Sequence, residues 1–209
     1  APRASPDLSV ALKAAVGVSF NKVTVDSDTS TNDTCILLAS GAAPGSAQTS
    51  DFAESTPGHA AFTAALTAVC TALARAMAAD GEGATRLITV NVTGAATPED
   101  ADLAARTLAN SPLVKTAVYG NDAHWGRIAA ALGRSGARFR AQDVSIRIMG
   151  IPVCEGGLAL GFDEDEALRR FEQPEIAIDA HLGAGSAAAT VWTCDLTHEY
   201  ITINGDYRT

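Results

Sequence analysis

Cationic runs are missing from this chain. Its 15 lysines and arginines are outnumbered by 24 acidic residues and never form a block, giving a net charge of −9. That balance excludes nucleic acid or an anionic membrane surface as its main partner. Paired cysteines are missing too. Cys35, Cys70, Cys154 and Cys194 stand far apart with no CxxC, so they are expected as small buried hydrophobes in a reducing compartment, not disulfides or metal ligands. The histidines His59, His124, His181 and His198 form no HxH or HExxH pair, and no metal is expected. There is no uninterrupted apolar run long enough to span a bilayer and no basic-then-apolar start, so a soluble, cytoplasmic protein is expected. Aromatics are scarce at 5%, yet hydrophobic residues reach 47% and mean hydropathy is +0.11. Over 209 residues that is enough for a real core.

What the chain does have is a long polar run, Asp26 to Thr34, between the β-prone stretch Lys22-Val23-Thr24-Val25 and the apolar Cys35-Ile36-Leu37-Leu38-Ala39. A turn needs two to five such residues. Each extra polar side chain that is buried must find a partner or cost about 1–3 kcal/mol.

The hydrophobic pattern predicts alternating helices and strands. Leu8, Leu12, Val16 and Phe20 predict a helix leading into a strand at 22–26, and 34–40 reads as a second strand. Residues 41–58 read as an exposed connection. A long helix is expected at 59–79, with Phe62, Leu66, Val69, Leu73 and Met77 as its buried stripe. A strand follows at 86–93. Thr97 is the expected cap of a helix with Pro98 at its first position and Glu99 and Asp100 at its positive end. That helix should stop before Ser111-Pro112; 113–120 fits strand or helix, and 125–132 a helix ending at Gly133. Beyond it the pattern predicts a hairpin of 144–149 and 151–154 about Gly150, a charged helix at 163–171, and strands at 175–182, 188–194 and 198–204. The Arg- and Gly-rich stretch 134–142 is the expected boundary between a 1–133 α/β layer domain and a smaller β-rich part, 134–209.

Several motifs have a chemical and a plain reading. Asp26-Ser27-Asp28-Thr29-Ser30 follows a strand as the DxDx(T/V) loop of phosphatases does, but its fifth residue is wrong. A calcium loop fails because Thr31 takes the sharp-turn glycine position and Leu37 the bidentate glutamate position. Gly183-Ala184-Gly185-Ser186-Ala187-Ala188 resembles a dinucleotide fingerprint, but a strand follows it, and a hairpin turn is the expectation. Glu82 lies between two glycines that let the backbone approach a ligand closely, and a carboxylate there could bind an ammonium group. Asp122-Ala123-His124-Trp125-Gly126-Arg127 reads as a capped helix start, with Arg127 able to pair with a carboxylate.

Together, VDSDTSTNDT (25–34), DGEGAT (80–85), SPLVKTAVYGNDAHWGR (111–127), CDLTHEYI (194–201) and INGDYRT (203–209) resemble the β chain of the ornithine acetyltransferase (ArgJ) family. Ala123-His124 stands where that family more often has Pro-Asn, and Gly205 where it often has Ala. The resemblance implies an α/β layered sandwich with mixed or antiparallel sheets and outer helices. It also implies transfer of acetyl from N-acetylornithine to glutamate, with acetyl-CoA as a further donor in some members and no other cofactor. The family precursor cuts itself before a Thr, and the α and β chains stay together as an α2β2 heterotetramer. The new N-terminal Thr carries the acetyl group in a ping-pong cycle, and the α chain supplies the oxyanion hole. That Thr is expected upstream of Ala1, leaving no catalytic nucleophile within 1–209. Carried over position by position, the substrate contacts here are Glu82, Asn204 and Thr209. Asp26, Asp28, Ser30, Asn32 and Asp33 are expected to form a buried hydrogen-bond network behind the site. The rival readings are a non-catalytic interaction subunit and, more distantly, a DxD phosphatase.

Overall fold

The alternating run after Arg86 becomes the longest strand of the sheet. In the computed structural model, which describes residues 5–40, 54 and 56–207, β1 (Leu87–Ala95) runs parallel to β5 (Glu175–His181) and antiparallel to β6 (Ala187–Cys194). β2 (Ser145–Ile148) pairs antiparallel with β5, and β3 (Ile151–Glu155) and β4 (Leu158–Ala159) extend the same edge. The order β4-β3-β2-β5-β1-β6 makes one mixed sheet. The α/β fold class is the one expected.

Strand alternation divides the side chains of the sheet. Ile88, Val90 and Val92, with Ile146, Ile148, Ile176, Ile178, Ala180 and Val191, form a single apolar cluster. Helices α3 (Pro98–Ala109), α4 (Pro112–Tyr119), α5 (Trp125–Gly133) and α6 (Glu164–Arg170) contribute Ala104, Leu108, Val114, Val118, Ile128, Leu132 and Ala167 to it. Alanines along α3 let the helix approach the strands closely. Thr97 caps α3 as expected, its hydroxyl accepting from the Asp100 N–H at 3.2 Å, with Pro98 at the first position.

The opposite side of β5, β1 and β6 is polar. Thr89 donates to Glu175 at 2.6 Å, Asn91 to Asp179 at 2.9 Å, and Thr190 to Asn91 at 2.9 Å; Thr93 meets His181 at 3.1 Å. At one end of this side Leu87, Trp192 and Ala78 form a small apolar cluster, with Val23 packed against it.

The chain divides into two compact units: Ala1–Lys22 with Thr29–Arg75, and Val23–Asp28 with Ala76–Thr209. The first carries α1 (Ser5–Gly17) and most of α2 (Pro57–Ala79). In it Ala11, Ala15 and Ser19 are fully buried, the Ser19 hydroxyl donates to the Ala15 carbonyl at 2.6 Å, and His59 Nε2 lies 3.1 Å from the Asp7 carbonyl. The second holds the whole sheet. It takes β1 from before residue 134 and the other five strands from after it, so the 134–142 connection runs inside this unit.

Five local expectations are corrected. The 22–26 strand is reduced to one parallel bridge, Val23 to Trp192, because a 3-10 turn at Phe20–Lys22 ends just before it and the chain turns again at Ser27. Residues 34–40 are not a strand but largely exposed chain without regular secondary structure. Segment 198–204 is a helix, α7 (His198–Asp206), since a β-rich composition there is outweighed by a Thr197 start and i,i+4 bonding. Gly183–Ser186 is not a hairpin turn: β5 and β6 are separated by β1, and the loop crosses its end, donating from Ala184 and Gly185 to the Gly94 carbonyl at 2.7 and 2.9 Å. A Cβ on Gly185 would sit 2.5 Å from the Ala95 carbonyl oxygen, so a glycine is required by proximity. Finally, α2 is long and apolar enough to cross a membrane by length and composition.

Three of the four cysteines are buried, as expected, but Cys35 is exposed. The larger side chains of α2 are not its buried stripe either. His59, Cys70, Ala74 and Ala78 are buried, whereas Val69, Leu73 and Met77 are 57%, 53% and 49% exposed.

Candidate functional site

The Glu82 turn is built by its glycines. Asp80 ends the helical run, and the Ala84 N–H returns to the Gly81 carbonyl at 2.9 Å, closing a β-turn with Glu82 at its second position. Gly83, at the third, has φ +68°, the left-handed geometry that a type II turn demands. Close packing constrains both glycines. A Cβ on Gly81 would lie 2.7 Å from Cys194 Sγ, and one on Gly83 would lie 2.6 Å from Glu199 Cβ and 2.8 Å from the Tyr200 nitrogen. The turn therefore rests on the end of β6 and on the first turn of α7. Thr197 fixes the junction by donating to the Gly83 carbonyl at 2.7 Å. Buried Asp195 fixes the far side, accepting from the Thr85 and Arg86 N–H groups at 2.8 and 3.0 Å and from the Thr85 hydroxyl.

The second component is the segment Val23–Asp28, which lies along the free edge of β6. The Thr24 N–H donates to the Trp192 carbonyl at 3.0 Å, and its hydroxyl donates to Asn110 Oδ1 at 2.6 Å. Lys115, on α4, is 3% exposed; its ammonium donates to the Val25 carbonyl and, at 3.1 Å, to the Thr193 hydroxyl, with Cys194 Sγ 3.9 Å away. Burial pushes the Lys115 pKa down, against the pull of Cys194, Asp26 and Asp195. Burial likewise pushes the Cys194 thiol up, against the lowering pull of Lys115. At the end of the segment the Tyr200 hydroxyl donates to Asp26 Oδ2 at 2.8 Å. That bond, with burial next, pushes the phenol up to about 12.

Glu82 is exposed on its turn, and Asn204 is exposed on α7, its amide donating to the Tyr200 carbonyl at 2.9 Å. The second amide hydrogen remains for a ligand. The structure thus brings the Glu82 turn and the helix of Asn204 together; Thr209 lies outside the described residues. The expected buried network does not form in this chain. Asp26, Asp28, Ser30, Asn32 and Asp33 are all exposed. Most of their bonds are local turn contacts instead: Asp28 N–H to Asp26 Oδ1 at 3.0 Å, Ser30 hydroxyl to Asn32 Oδ1 at 3.2 Å, and Asn32 N–H to Ser30 Oγ at 3.3 Å. Short polar side chains satisfy their own backbone in this way without burial. Of the five, Asp26 reaches a distant element, accepting from the Tyr200 hydroxyl. Sequence reasoning gave Lys115, Tyr200, Asp195 and Cys194 no role. The signal for Lys115 was present: a lysine set among Val114, Ala117 and Val118 on an apolar helix face.

The ArgJ family model matches residues 1–209. The chain belongs to the ArgJ family. It is 49% identical to an arginine biosynthesis bifunctional protein ArgJ of Chlorobium chlorochromatii, over 91% of this chain and 43% of that protein. It is 45% identical to a mitochondrial ArgJ of Chaetomium globosum, over 100% of this chain and 47% of that one. The crystal structure of an ArgJ from Bacillus halodurans superposes with a TM-score of 0.91 at 40% identity, over 97% of this chain and 94% of that chain. The chain spans about half the length of the curated relatives it matches.

Proposed function

We propose that this chain is the β subunit of a glutamate N-acetyltransferase, moving acetyl from N2-acetyl-L-ornithine to L-glutamate in cytoplasmic arginine biosynthesis. The observation that carries this reading is the Glu82 turn seated on α7, the helix that bears Asn204, in a chain of the ArgJ family. In the cycle, the hydroxyl of a Thr outside residues 1–209 attacks the acetyl carbonyl. Ornithine leaves with the proton on its amine, and the α-amine of glutamate then takes the acetyl group from the Thr ester. Glu82 binds a cationic group of the substrate, Asn204 donates to a carboxylate, and Thr209 completes the set. No cofactor is needed, and acetyl-CoA acts as a co-substrate only if the enzyme is bifunctional.

The partner in this proposal is the α chain from the same precursor, in an α2β2 assembly. Support comes from the unequal covering of the chain. The apolar side of the sheet carries α3 to α6, whereas α2 leaves Val69, Leu73 and Met77 exposed. About half the length of the relatives lies outside this chain.

The test is acetyl exchange by the intact α/β protein, with acetylornithine and then acetyl-CoA as donor. Glu82→Ala should raise KM for acetylornithine or lower kcat without unfolding the protein, and deleting the last six residues should abolish activity while the assembly persists. Exchange absent from the wild-type complex would overturn the proposal.

A further inference from the structure

The segment Val23–Asp28 holds a backbone that does not hold itself. Ser27 has φ +82°, a left-handed conformation that is strained for a non-glycine residue and persists only where surroundings fix it. The surroundings here are specific. Thr24 Oγ1 accepts from the Ser27 N–H at 3.2 Å while donating to Asn110, the buried Lys115 ammonium holds the Val25 carbonyl, and Asp26 receives the Tyr200 hydroxyl. Lys115 reaches the segment from α4 and ties it to β6 through Thr193; Tyr200 reaches it from α7. Tyr200 lies one helical turn before Asn204 and accepts its amide. A continuous line of contacts therefore runs from α4 through the segment to the helix that bears Asn204.

We propose that Lys115 and Tyr200 are positioning residues: together they clamp Val23–Asp28 between β6 and α7 and so set where Asn204 stands relative to the Glu82 turn. The proposal rests on the reading of Glu82 and Asn204 as substrate contacts. Neither clamp residue touches the substrate. Lys115 suits the task because its three N–H donors face the Val25 carbonyl, the Thr193 hydroxyl and the Cys194 sulfur, which offsets the cost of burying its charge. Tyr200 suits it because a phenol held protonated is a permanent donor to the Asp26 carboxylate. The clamp also gives the exposed polar run a reason to begin with Asp26: a neutral residue there would leave the Tyr200 hydroxyl without its charged acceptor.

The experiment uses the full α/β complex carrying Tyr200→Phe, Lys115→Met, Lys115→Arg, or Tyr200→Phe with Lys115→Met. Loss of one such bond should raise KM for acetylornithine about three- to tenfold while kcat changes less than about twofold. The double variant should be no worse than the poorer single one, because both act on the same segment. Lys115→Arg should recover part of the loss. Amide hydrogen exchange on the same proteins reads the clamp without activity: Lys115→Met, which removes the ammonium's bonds to Val25, Thr193 and Cys194 and leaves the backbone contact of Lys115 with Leu196 in place, should speed exchange in 198–206. Unchanged exchange in α7, or effects on KM that multiply in the double variant, would overturn the clamp. If wild type shows no acetyl exchange, the proposed function falls, and the exchange rates of α7 still decide the clamp.

Discussion

A single methyl group on Gly83 tests how the site is built. Gly83→Ala forces an L-residue into φ +68°, a left-handed conformation that costs about 1–2 kcal/mol. The new Cβ would also lie 2.6 Å from Glu199 Cβ, 2.8 Å from the Tyr200 nitrogen and 2.9 Å from the Glu199 carbonyl carbon. Two of those three atoms are backbone, so no rotamer change relieves the overlap. Overpacking of this kind typically costs about 1–3 kcal/mol. The expected loss is therefore about 2–5 kcal/mol if the turn keeps its place, within the stability of an ordinary domain. If the turn yields instead, it moves off α7 and the strain is exchanged for a displaced Glu82. Urea unfolding of the α/β complex reads the first outcome, and a raised KM for acetylornithine reads the second. Either one, or a mixture, follows from the packing. A Gly83→Ala protein with the wild-type unfolding midpoint and wild-type KM would refute the reasoning, because the turn would then not be seated on α7.

Gly205→Ala is the converse case. Among the described residues nothing lies within 4 Å of a Cβ there, and Gly205 sits inside α7 without a positive φ, so α7 should gain about 0.5–1 kcal/mol, visible as a rise in melting temperature. Asp195→Ala removes the acceptor of the Thr85 and Arg86 N–H groups; a loss of about 2–4 kcal/mol is expected in urea unfolding, and a loss below about 0.5 kcal/mol would mean that water replaces the carboxylate. Asp100 is held below the usual carboxylate range, first by its hydrogen bonds from the Arg138 guanidinium, at 3.0 and 2.8 Å, against the opposing effect of burial. A depressed carboxylate stabilises the fold above its unfolded pKa of 3.8 and loses that contribution as pH falls through its folded pKa. The stability gap between wild type and Asp100→Asn should thus be full near neutrality and close in acid; a gap that stays constant would refute the assignment.

Local chemistry was legible in the sequence wherever a residue has one dominant use. Thr97-Pro98-Glu99-Asp100 could be little but a helix start, and the alternation of 86–93 little but a strand; both are found. Gly81 and Gly83 were read as leaving room for a ligand, whereas the close approach the structure shows is to the chain's own β6 and α7. The failures have a common cause. The stretch 198–204 is β-prone residue by residue, yet it has no strand to pair with, since Val23 and Thr24 already occupy the free edge of β6. It therefore completes its hydrogen bonds internally as α7. Likewise Gly183–Ser186 looked like a hairpin because sequence does not reveal that β1 enters between β5 and β6. Pairing partners far along the chain, not propensity, decided both. The apolar neighbours of Lys115 signalled its burial, but its partners were hidden for the same reason: its three acceptors come from positions 25, 193 and 194.

The helix α2 shows a different kind of mismatch, and it bears on the proposed partner. Its large residues Phe62, Leu66, Val69, Leu73 and Met77 recur at helical spacing, which predicts burial. In this chain the buried set is His59, Cys70, Ala74 and Ala78, at another angle around the same helix. Two apolar faces on one helix imply two covers, because a helix apolar on most of its circumference is stable only inside something. One cover belongs to this chain. The other must bury Val69, Leu73 and Met77, at about 25 cal/mol for each Å² removed from water. With about half of the relatives' length outside residues 1–209, the proposed α chain has the bulk to supply it. In this chain the amphipathic pattern misplaces the buried stripe, which the alanine face supplies instead; the exposed Val69, Leu73 and Met77 are the surface on which the proposed α chain would be expected.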